Sequence, residues 1–310
     1  MSKLLVVFGA TGRQGGSVIK CVLSDPVLSK EYKIRGVTRD LGKPAVQALQ
    51  NDGVEVVVAD VDDKPSLVKA MQGAHAVFGV TVTVYDNQAK EREIRQGKAL
   101  ADAAVAADVE YLIFSSLAHP GSISGGKYKN VSHFESKAEV EQYIRGLPIK
   151  SAFFAPGSFM QNFKETMAPQ PTGDGNFAIF NCITPQTQLP LIDIAEDTGK
   201  WVSAILAEPE KYEGKYLACA IKLYSMEEIA EIISKISGKT VKYNQVPESV
   251  FRGFLLPPMA DGLVDMLLYF QDFGYYGPKT KEQVEWASQN ARGKLTTLEE
   301  YLTKNPLALA

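Results

Sequence analysis

The chain has 310 residues, of which 45% are hydrophobic and 22% are charged, a composition typical of a globular protein with a sizeable core. Its formal net charge of −3 provides no attraction to nucleic acid or to an anionic membrane, so we expect neither as a partner. The three cysteines are widely spaced and the three histidines form no metal motif, which argues against disulfide bonds and a bound metal. No apolar run reaches about 18 residues, and a strand-like run begins at residue 3, so we expect a cytoplasmic protein.

The first 155 residues alternate strand-like and helix-like segments. Apolar runs predict strands over 4–9, 32–38, 54–60, 75–81, 110–116 and 149–155. The segments between them predict helices over 14–24, 43–51, 63–72, 88–107 and 133–145. Such alternation is typical of parallel strands joined by crossover helices. We therefore predict an α/β fold with a Rossmann-type doubly wound parallel sheet.

The alternation ends after residue 156. Residues 168–190 are rich in Pro, Gly and Thr and predict loops with one short strand, and residues 189–209 predict a strand followed by a helix. A marked helix is predicted after Ser225, a candidate N-cap with Glu228 at the capping-box position, and Gly238 is its expected stop. Further helices are predicted within 246–255 and 260–276. We expect this half to form a smaller, mostly helical cap.

Three glycines stand between the first strand and the first helix, in the stretch "LLVVFGATGRQGGSVIK". In this context the G-x-x-G-x-x-G spacing predicts a dinucleotide site, because the N–H groups at the helix N-terminus attract phosphates. Gly9 permits the turn, Gly12 lets the backbone approach the pyrophosphate, and Gly15 lets the helix pack on the strand. The alternative is a glycine-rich turn without a ligand. We predict that the cofactor contacts Gly9, Thr11, Gly12, Arg13, Gln14 and Gly15.

The second strand ends in "GVTRD", and this ending bears on which dinucleotide binds. Arg39 offers a planar charged fork for the 2′-phosphate of NADP(H), and Arg13 could add a second positive charge. In the alternative, Arg39 is an ordinary surface residue and Asp40 holds the ribose of NAD. The sequence favours NADP(H).

Several segments together resemble the NmrA-like family, an atypical branch of the short-chain dehydrogenases/reductases. They are "VFGATGRQGGSV", "GVTRD", "VVVADVDD", "HFESKAEVEQYI" and "APGSFMQNF", with "DIAEDTGKWV" and "MLLYFQDFGYYG" further on. The resemblance implies a six-stranded Rossmann core, an NADP(H) site and a C-terminal half that closes a cleft over the nicotinamide. We accordingly expect residues 1–157 to bind NADP(H), with 189–207 packing back onto them. Residues 158–310 are expected to bind the substrate or a partner.

The resemblance also assigns further positions to the cofactor. Asp60 and Val61 match the place that holds the adenine edge, and Val80 and Thr81 match a segment that lines the cofactor. The turn beside the nicotinamide corresponds to Pro156, Gly157 and Phe159.

The catalytic segment departs from the usual short-chain dehydrogenase pattern of Tyr-x-x-x-Lys with a serine from the fifth strand. Here "SHFESK" keeps Lys137, expected to bind the cofactor and to take part in catalysis, and places His133 in the tyrosine slot. His133 could transfer a proton, because its reference pKa is near neutrality, or it could merely pack at a helix start. Ser115 is expected to contact the cofactor, although Ser115 and Ser116 could simply satisfy hydrogen bonds at the strand end. Tyr128 is a second candidate proton donor, or a loop aromatic.

Three functions are compatible with this pattern. The favoured one is an NADPH-dependent oxidoreductase acting on a small apolar or aromatic metabolite, for which the aromatic stretch "YFQDFGYYG" could line a pocket or belong to the core. The second is a redox-sensing regulator that binds NADP(H) and a protein partner without turnover. The third is an enzyme that uses the bound cofactor for non-redox chemistry.

Overall fold

The structure is a computed structural model that describes residues 2–86 and 88–309. Its strands, in chain order, are β1 (Lys3–Phe8), β2 (Tyr32–Thr38), β3 (Glu55–Val58), β4 (Ala76–Gly79), β5 (Tyr111–Ser115), β6 (Lys150–Pro156), β7 (Ser158–Phe159), β8 (Gln170–Pro171), β9 (Phe177–Asn181), β10 (Gln188–Ile192), β11 (Tyr216–Cys219), β12 (Lys222–Ser225) and β13 (Val241–Gln245). Its helices are α1 (Arg13–Ser24), α2 (Leu28–Glu31), α3 (Pro44–Asn51), α4 (Lys64–Met71), α5 (Ala89–Ala106), α6 (Pro120–Ile123), α7 (Ser132–Arg145), α8 (Thr198–Ala207), α9 (Pro209–Tyr212), α10 (Met226–Ser237), α11 (Glu248–Gly253), α12 (Pro257–Phe273), α13 (Thr280–Gln289) and α14 (Leu298–Lys304). A short 3₁₀ helix spans Met160–Lys164.

The main sheet has seven strands in the order β11-β6-β5-β4-β1-β2-β3, and every neighbouring pair is parallel. Alternate side chains of each strand enter two different cores. On β5, for example, Ile113 packs in the layer that contains Val18 of α1 and Trp201 of α8. Leu112 packs on the other face, with Leu100 of α5. The predicted doubly wound parallel sheet with helices on both faces is thus confirmed.

The C-terminal half contributes to this sheet as well as to the cap. Strand β11 pairs with β6 as a seventh strand, whereas the sequence indicated six. Helix α8 packs along α1, where the Ser17 hydroxyl accepts a hydrogen bond from the N–H of Gly199 at 3.0 Å.

The cap combines helices α10–α14 with two small sheets, ordered β12-β10-β7 and β13-β9-β8. Helix α10 begins and ends where the sequence predicted. The Ser225 hydroxyl accepts from the N–H of Glu228 at 3.0 Å, and Gly238 adopts a positive φ of 69°. The carboxylate of Glu228 pairs with Lys222 at 2.9 Å.

Candidate functional site

The carboxyl ends of β1 to β6 form one edge of the main sheet. The chain runs from β1 outward through β2 to β3, and then returns to place β4 on the other side of β1. The strand order thus reverses between the carboxyl ends of β1 and β4, and in open α/β sheets the ligand crevice lies at this switch point. The two strand ends are close, since a Cβ added to Gly9 would lie 3.1 Å from Cγ1 of Val80.

The glycine turn packs tightly between β1 and α1. Gly9 has a φ of +64°, a conformation that side chains other than glycine rarely adopt, and its carbonyl accepts from the N–H of Gly12 at 2.8 Å. A Cβ on Gly15 would lie 2.3 Å from that same carbonyl oxygen. Gly15 therefore sets how closely α1 approaches the turn.

The N-terminus of α1 is suited to an anion. Its N-cap is Gly12, no side chain in the described chain caps it, and its first turn contains no acidic residue. The N–H groups of this turn and the positive end of the helix dipole therefore face the crevice without a protein counter-charge from the helix itself. Oε1 of Gln14 is buried beside them with no hydrogen-bond partner among the described residues.

The two charged residues after β2 have different surroundings. The carboxylate of Asp40 accepts from the N–H of Gly42 at 2.8 Å and so closes the local turn. Arg39 is exposed and makes no ion pair or hydrogen bond with any residue in the two described ranges. The guanidinium of Arg39 is thus available for a ligand phosphate, whereas one oxygen of Asp40 already has a partner.

Asp60 and Val61 follow β3 in a compact turn. The carboxylate of Asp60 accepts from the N–H of Asp62 at 3.0 Å, and the backbone N–H of Asp60 donates to the hydroxyl of Ser66 at 3.0 Å. Val61 is half-buried beside this turn.

Arg13 points across the cleft to the cap. Its guanidinium forms an ion pair with Glu165, the residue that ends the 3₁₀ helix after β7, and each side chain is about half exposed at 48%. Arg13 therefore has an anionic partner at the glycine turn. It is not a second free cation beside Arg39.

Lys137 lies in a buried polar cluster whose other members stand outside the "SHFESK" motif or had no predicted role in it. Its ammonium forms an ion pair with Glu93 of α5 and donates to the hydroxyl of Thr83 at 3.1 Å. The Glu93 carboxylate also accepts from Thr81 at 2.7 Å and from Ser136 at 2.7 Å. A signal for Glu93 was present, because helical spacing places it on the apolar face with Gly97 and Ala101.

His133 lies one helical turn before Lys137, and its ring is packed between aromatic residues. The ring centroid lies 5.7 Å from that of Tyr85 and 5.0 Å from that of Phe134. Burial, together with the charge of Lys137, lowers the pKa of His133 to about 4. Only about one imidazole in a thousand is then charged at pH 7, so His133 is a weak proton donor at neutral pH.

We expect His133→Gln to change how stability depends on pH. The folded pKa lies below the unfolded value of about 6.5, so the unfolded chain gains protons first and wild-type stability falls as the pH drops from about 6.5 toward 4. Glutamine does not titrate. The free energy of unfolding of wild type relative to the variant should therefore fall by about 1–2 kcal/mol between pH 7 and pH 5. Urea unfolding at both pH values measures this difference, and an offset that is the same at pH 7 and pH 5 would contradict it.

The two serines at the end of β5 differ in their surroundings. The hydroxyl of Ser116 donates to Glu141 of α7 at 2.5 Å. The hydroxyl of Ser115 is fully buried and has no partner in the described part of the chain. Ser115 is therefore the serine with hydrogen-bonding capacity left for a ligand.

Three tyrosines near the cleft, Tyr128, Tyr275 and Tyr276, are committed to internal hydrogen bonds. Tyr128 donates to Asp272 of α12 at 2.6 Å. Tyr275 and Tyr276 donate to the carbonyl groups of Pro156 and Ala155 at 3.2 and 2.9 Å. All three are buried, and the aromatic stretch from Tyr269 to Tyr276 packs mainly into the cap core. Pro156 and Phe159 thus flank the junction of sheet and cap, with Phe159 half-buried.

No three His, Cys, Asp or Glu side chains within 2–86 and 88–309 are arranged to hold a metal ion. None of the helices in the described part of the chain is both long and apolar enough to cross a membrane.

Comparison with known proteins gives full-length matches. The sequence model of the NmrA-like family matches residues 1–302. An NmrA-like family domain-containing protein of Dictyostelium discoideum is 31% identical, with 98% of each chain covered. The NmrA-like family domain-containing oxidoreductase FrzB of a Cladobotryum species is 28% identical, over 91% of this chain and 88% of that one.

Solved structures show the same fold. NmrA, described as a negative transcriptional regulator and crystallised in complex with NADP, superimposes with a TM-score of 0.82 at 24% identity, covering 99% of both chains. The triphenylmethane reductase of Citrobacter sp., complexed with NADP(H), superimposes with a TM-score of 0.76 at 23% identity, covering 98% of this chain and 100% of that one.

Proposed function

Because the chain belongs to the NmrA-like family, we propose that it binds NADP(H) and acts as an oxidoreductase on a small apolar or aromatic compound. The observation that carries this proposal is the N-terminus of α1, which lies at the reversal of strand order. Within the described residues no side chain caps it, and Arg39 nearby has no ionic partner. The oxidoreductase description of the Cladobotryum relative supports the reaction class.

The residues present fit the cofactor. The buried oxygens of Gln14 and Ser115, at the start of α1 and the end of β5, have no hydrogen-bond partner among the described residues, so both can accept one from a ligand. In this proposal the turn from Gly9 to Gly15 holds the pyrophosphate and Arg39 holds the 2′-phosphate. The adenine edge contacts Asp60 and Val61. The nicotinamide half contacts the remaining positions, Thr81, Ser115, Lys137, Pro156 and Phe159.

When bound, the nicotinamide supplies the hydride. The protein side chains hold the cofactor, and Glu93 fixes Lys137 through an ion pair. His133 is largely uncharged at neutral pH, and the hydroxyls of Tyr128, Tyr275 and Tyr276 already have acceptors. We therefore propose that water supplies any proton that the product requires.

An apolar substrate is supported by the segment after β4. Val82, Val84 and Tyr85 are all more than half exposed at this edge of the sheet. Exposed large apolar side chains in a cleft favour contact with a nonpolar ligand. We propose that residues 1–157 hold the nucleotide and that residues 158–310 close over the substrate.

Fluorescence titration with NADPH and NADH, followed by single-turnover NADPH oxidation with a panel of quinones, cationic dyes and aromatic carbonyl compounds, tests the proposal. We expect tighter binding of NADPH than of NADH, and oxidation with at least one acceptor class. Absence of NADPH binding would overturn the proposal as a whole.

A second candidate is a cofactor sensor that binds a protein partner. It is favoured by the internal contacts of Lys137, Tyr128 and Tyr275, which leave these three side chains little capacity for proton transfer. NADPH binding without oxidation across the panel would support this candidate against the oxidoreductase.

A further inference from the structure

The carboxylate of Glu93 is the centre of the buried cluster. Its side chain is only 2% exposed and accepts four donors, one from each of Thr81, Thr83, Ser136 and Lys137. These donors come from the segment after β4 and from α7, while Glu93 itself lies on α5. Three segments that are separate in the sequence thus meet at one carboxylate.

The cluster contains a true ion pair. Burial by itself would raise the pKa of Glu93, but the charge of Lys137 and the hydroxyl donors more than offset burial and hold the pKa below its ordinary value. Buried ion pairs contribute little net stability, because removing both charges from water offsets most of their attraction. Stability alone is therefore a weak reason for this arrangement.

Lys137 retains a donor for a ligand. An ammonium group has three N–H donors, and Glu93 and Thr83 accept two of them within the described structure. The lysine side chain is 11% exposed, so a small part of it reaches solvent. Glu93 and Thr83 fix the orientation of the Lys137 ammonium group.

We propose that Glu93 is a positioning residue, which fixes the Lys137 ammonium toward the bound nucleotide and thereby sets nucleotide affinity through Lys137. This inference rests on the proposed NADP(H) site. Thr83 assists, because its hydroxyl donates to Glu93 at 3.0 Å and accepts from Lys137.

A double-mutant cycle read by NADPH titration tests this role. We expect Glu93→Gln and Lys137→Met each to weaken NADPH binding about tenfold. The double variant should also lose about tenfold, because Glu93 has no effect once Lys137 is absent. A loss of about 100-fold in the double variant would show independent effects and overturn the inference, as would unchanged affinity in Glu93→Gln.

Unfolding measurements without nucleotide separate positioning from folding. Lys137→Met leaves the Glu93 carboxyl buried without a counter-ion, so we expect it to be less stable than the double variant, which removes both charges. If Glu93→Gln fails to fold, Thr83→Val keeps the ion pair and should weaken NADPH binding about threefold or more. Unchanged affinity in Thr83→Val would then overturn the inference.

Glu141→Gln is the matched control. Glu141 is a mostly buried carboxylate on α7 that pairs with Arg145 and accepts from Ser116. We expect the Glu141→Gln variant to have a lower free energy of unfolding than wild type and an unchanged affinity for NADPH. An equal loss of affinity in this variant would show a general effect of removing a buried acid and would overturn the inference. If wild type does not bind NADPH, the proposed function itself fails. That result differs from the variant results above, because each of those is measured relative to a wild type that binds.

Discussion

Arg39→Ala is expected to weaken NADPH binding about 10- to 100-fold and to leave NADH binding within about twofold. The guanidinium is exposed just after β2 and has no partner in the described ranges, so it can make charge-assisted contacts with the 2′-phosphate, which only NADP(H) carries. Such a contact contributes about 1.5–3 kcal/mol. Parallel titrations of NADPH and NADH against wild type and Arg39→Ala measure how much each affinity falls.

Two further variants separate geometry from charge. Arg39→Lys keeps the charge but loses the planar fork, so its NADPH affinity should lie between those of wild type and Arg39→Ala. Lys20→Ala removes an exposed cation on α1 that pairs with Glu196, and it should leave both affinities unchanged. Equal losses for NADPH and NADH in Arg39→Ala would mean that Asp40 or the pyrophosphate site dominates recognition.

Gly15→Ala is expected to abolish measurable nucleotide binding and to destabilise the fold by about 3 kcal/mol. The new Cβ would lie 2.3 Å from the carbonyl oxygen of Gly9, and this oxygen belongs to the backbone and cannot rotate away. Helix α1 must then move off the turn, which displaces the N–H groups proposed to face the phosphates. Thermal unfolding and NADPH titration measure the two effects.

The adjacent glycine provides the control. A Cβ on Gly16 would meet its nearest neighbour, the carbonyl oxygen of Ala10, at 3.6 Å, an ordinary contact. Gly16→Ala should therefore keep nucleotide binding and gain up to about 1 kcal/mol of stability from helix propensity. If Gly15→Ala and Gly16→Ala had similar NADPH affinities and similar stabilities, the close approach of α1 to the turn at Gly15 would not determine nucleotide binding.

The first half of the fold was predictable because its strands are apolar runs with turn residues at their ends. All six predicted strands overlap β1 to β6, with small differences at the ends, such as β3 stopping at Val58. Strand β11 was missed because "YLAC" is only four residues long and gains its stability from β6, far away in sequence. The two-residue strands β7 and β8 have no sequence signal of their own.

The site was less predictable than the fold, because its chemistry depends on contacts between residues that are far apart in the sequence. Lys137 is recognisable from its motif, but its partner Glu93 lies 44 residues away. The low pKa of His133 follows from burial, which the residue type does not reveal. Arg13 looked free in the sequence, and only the tertiary structure shows its ion pair with Glu165.

Strand β11 also determines when the sheet can be completed during synthesis. Until residues 216–219 leave the ribosome, β6 is an edge strand of the sheet. Its backbone N–H and C=O groups on that side then have no β11 to pair with, and its apolar segment "AFFA" lies at the open edge. Such an open, apolar edge favours pairing between nascent chains. A fragment that ends at residue 157 would keep this edge open permanently, so we expect such a fragment to aggregate more readily than the full chain.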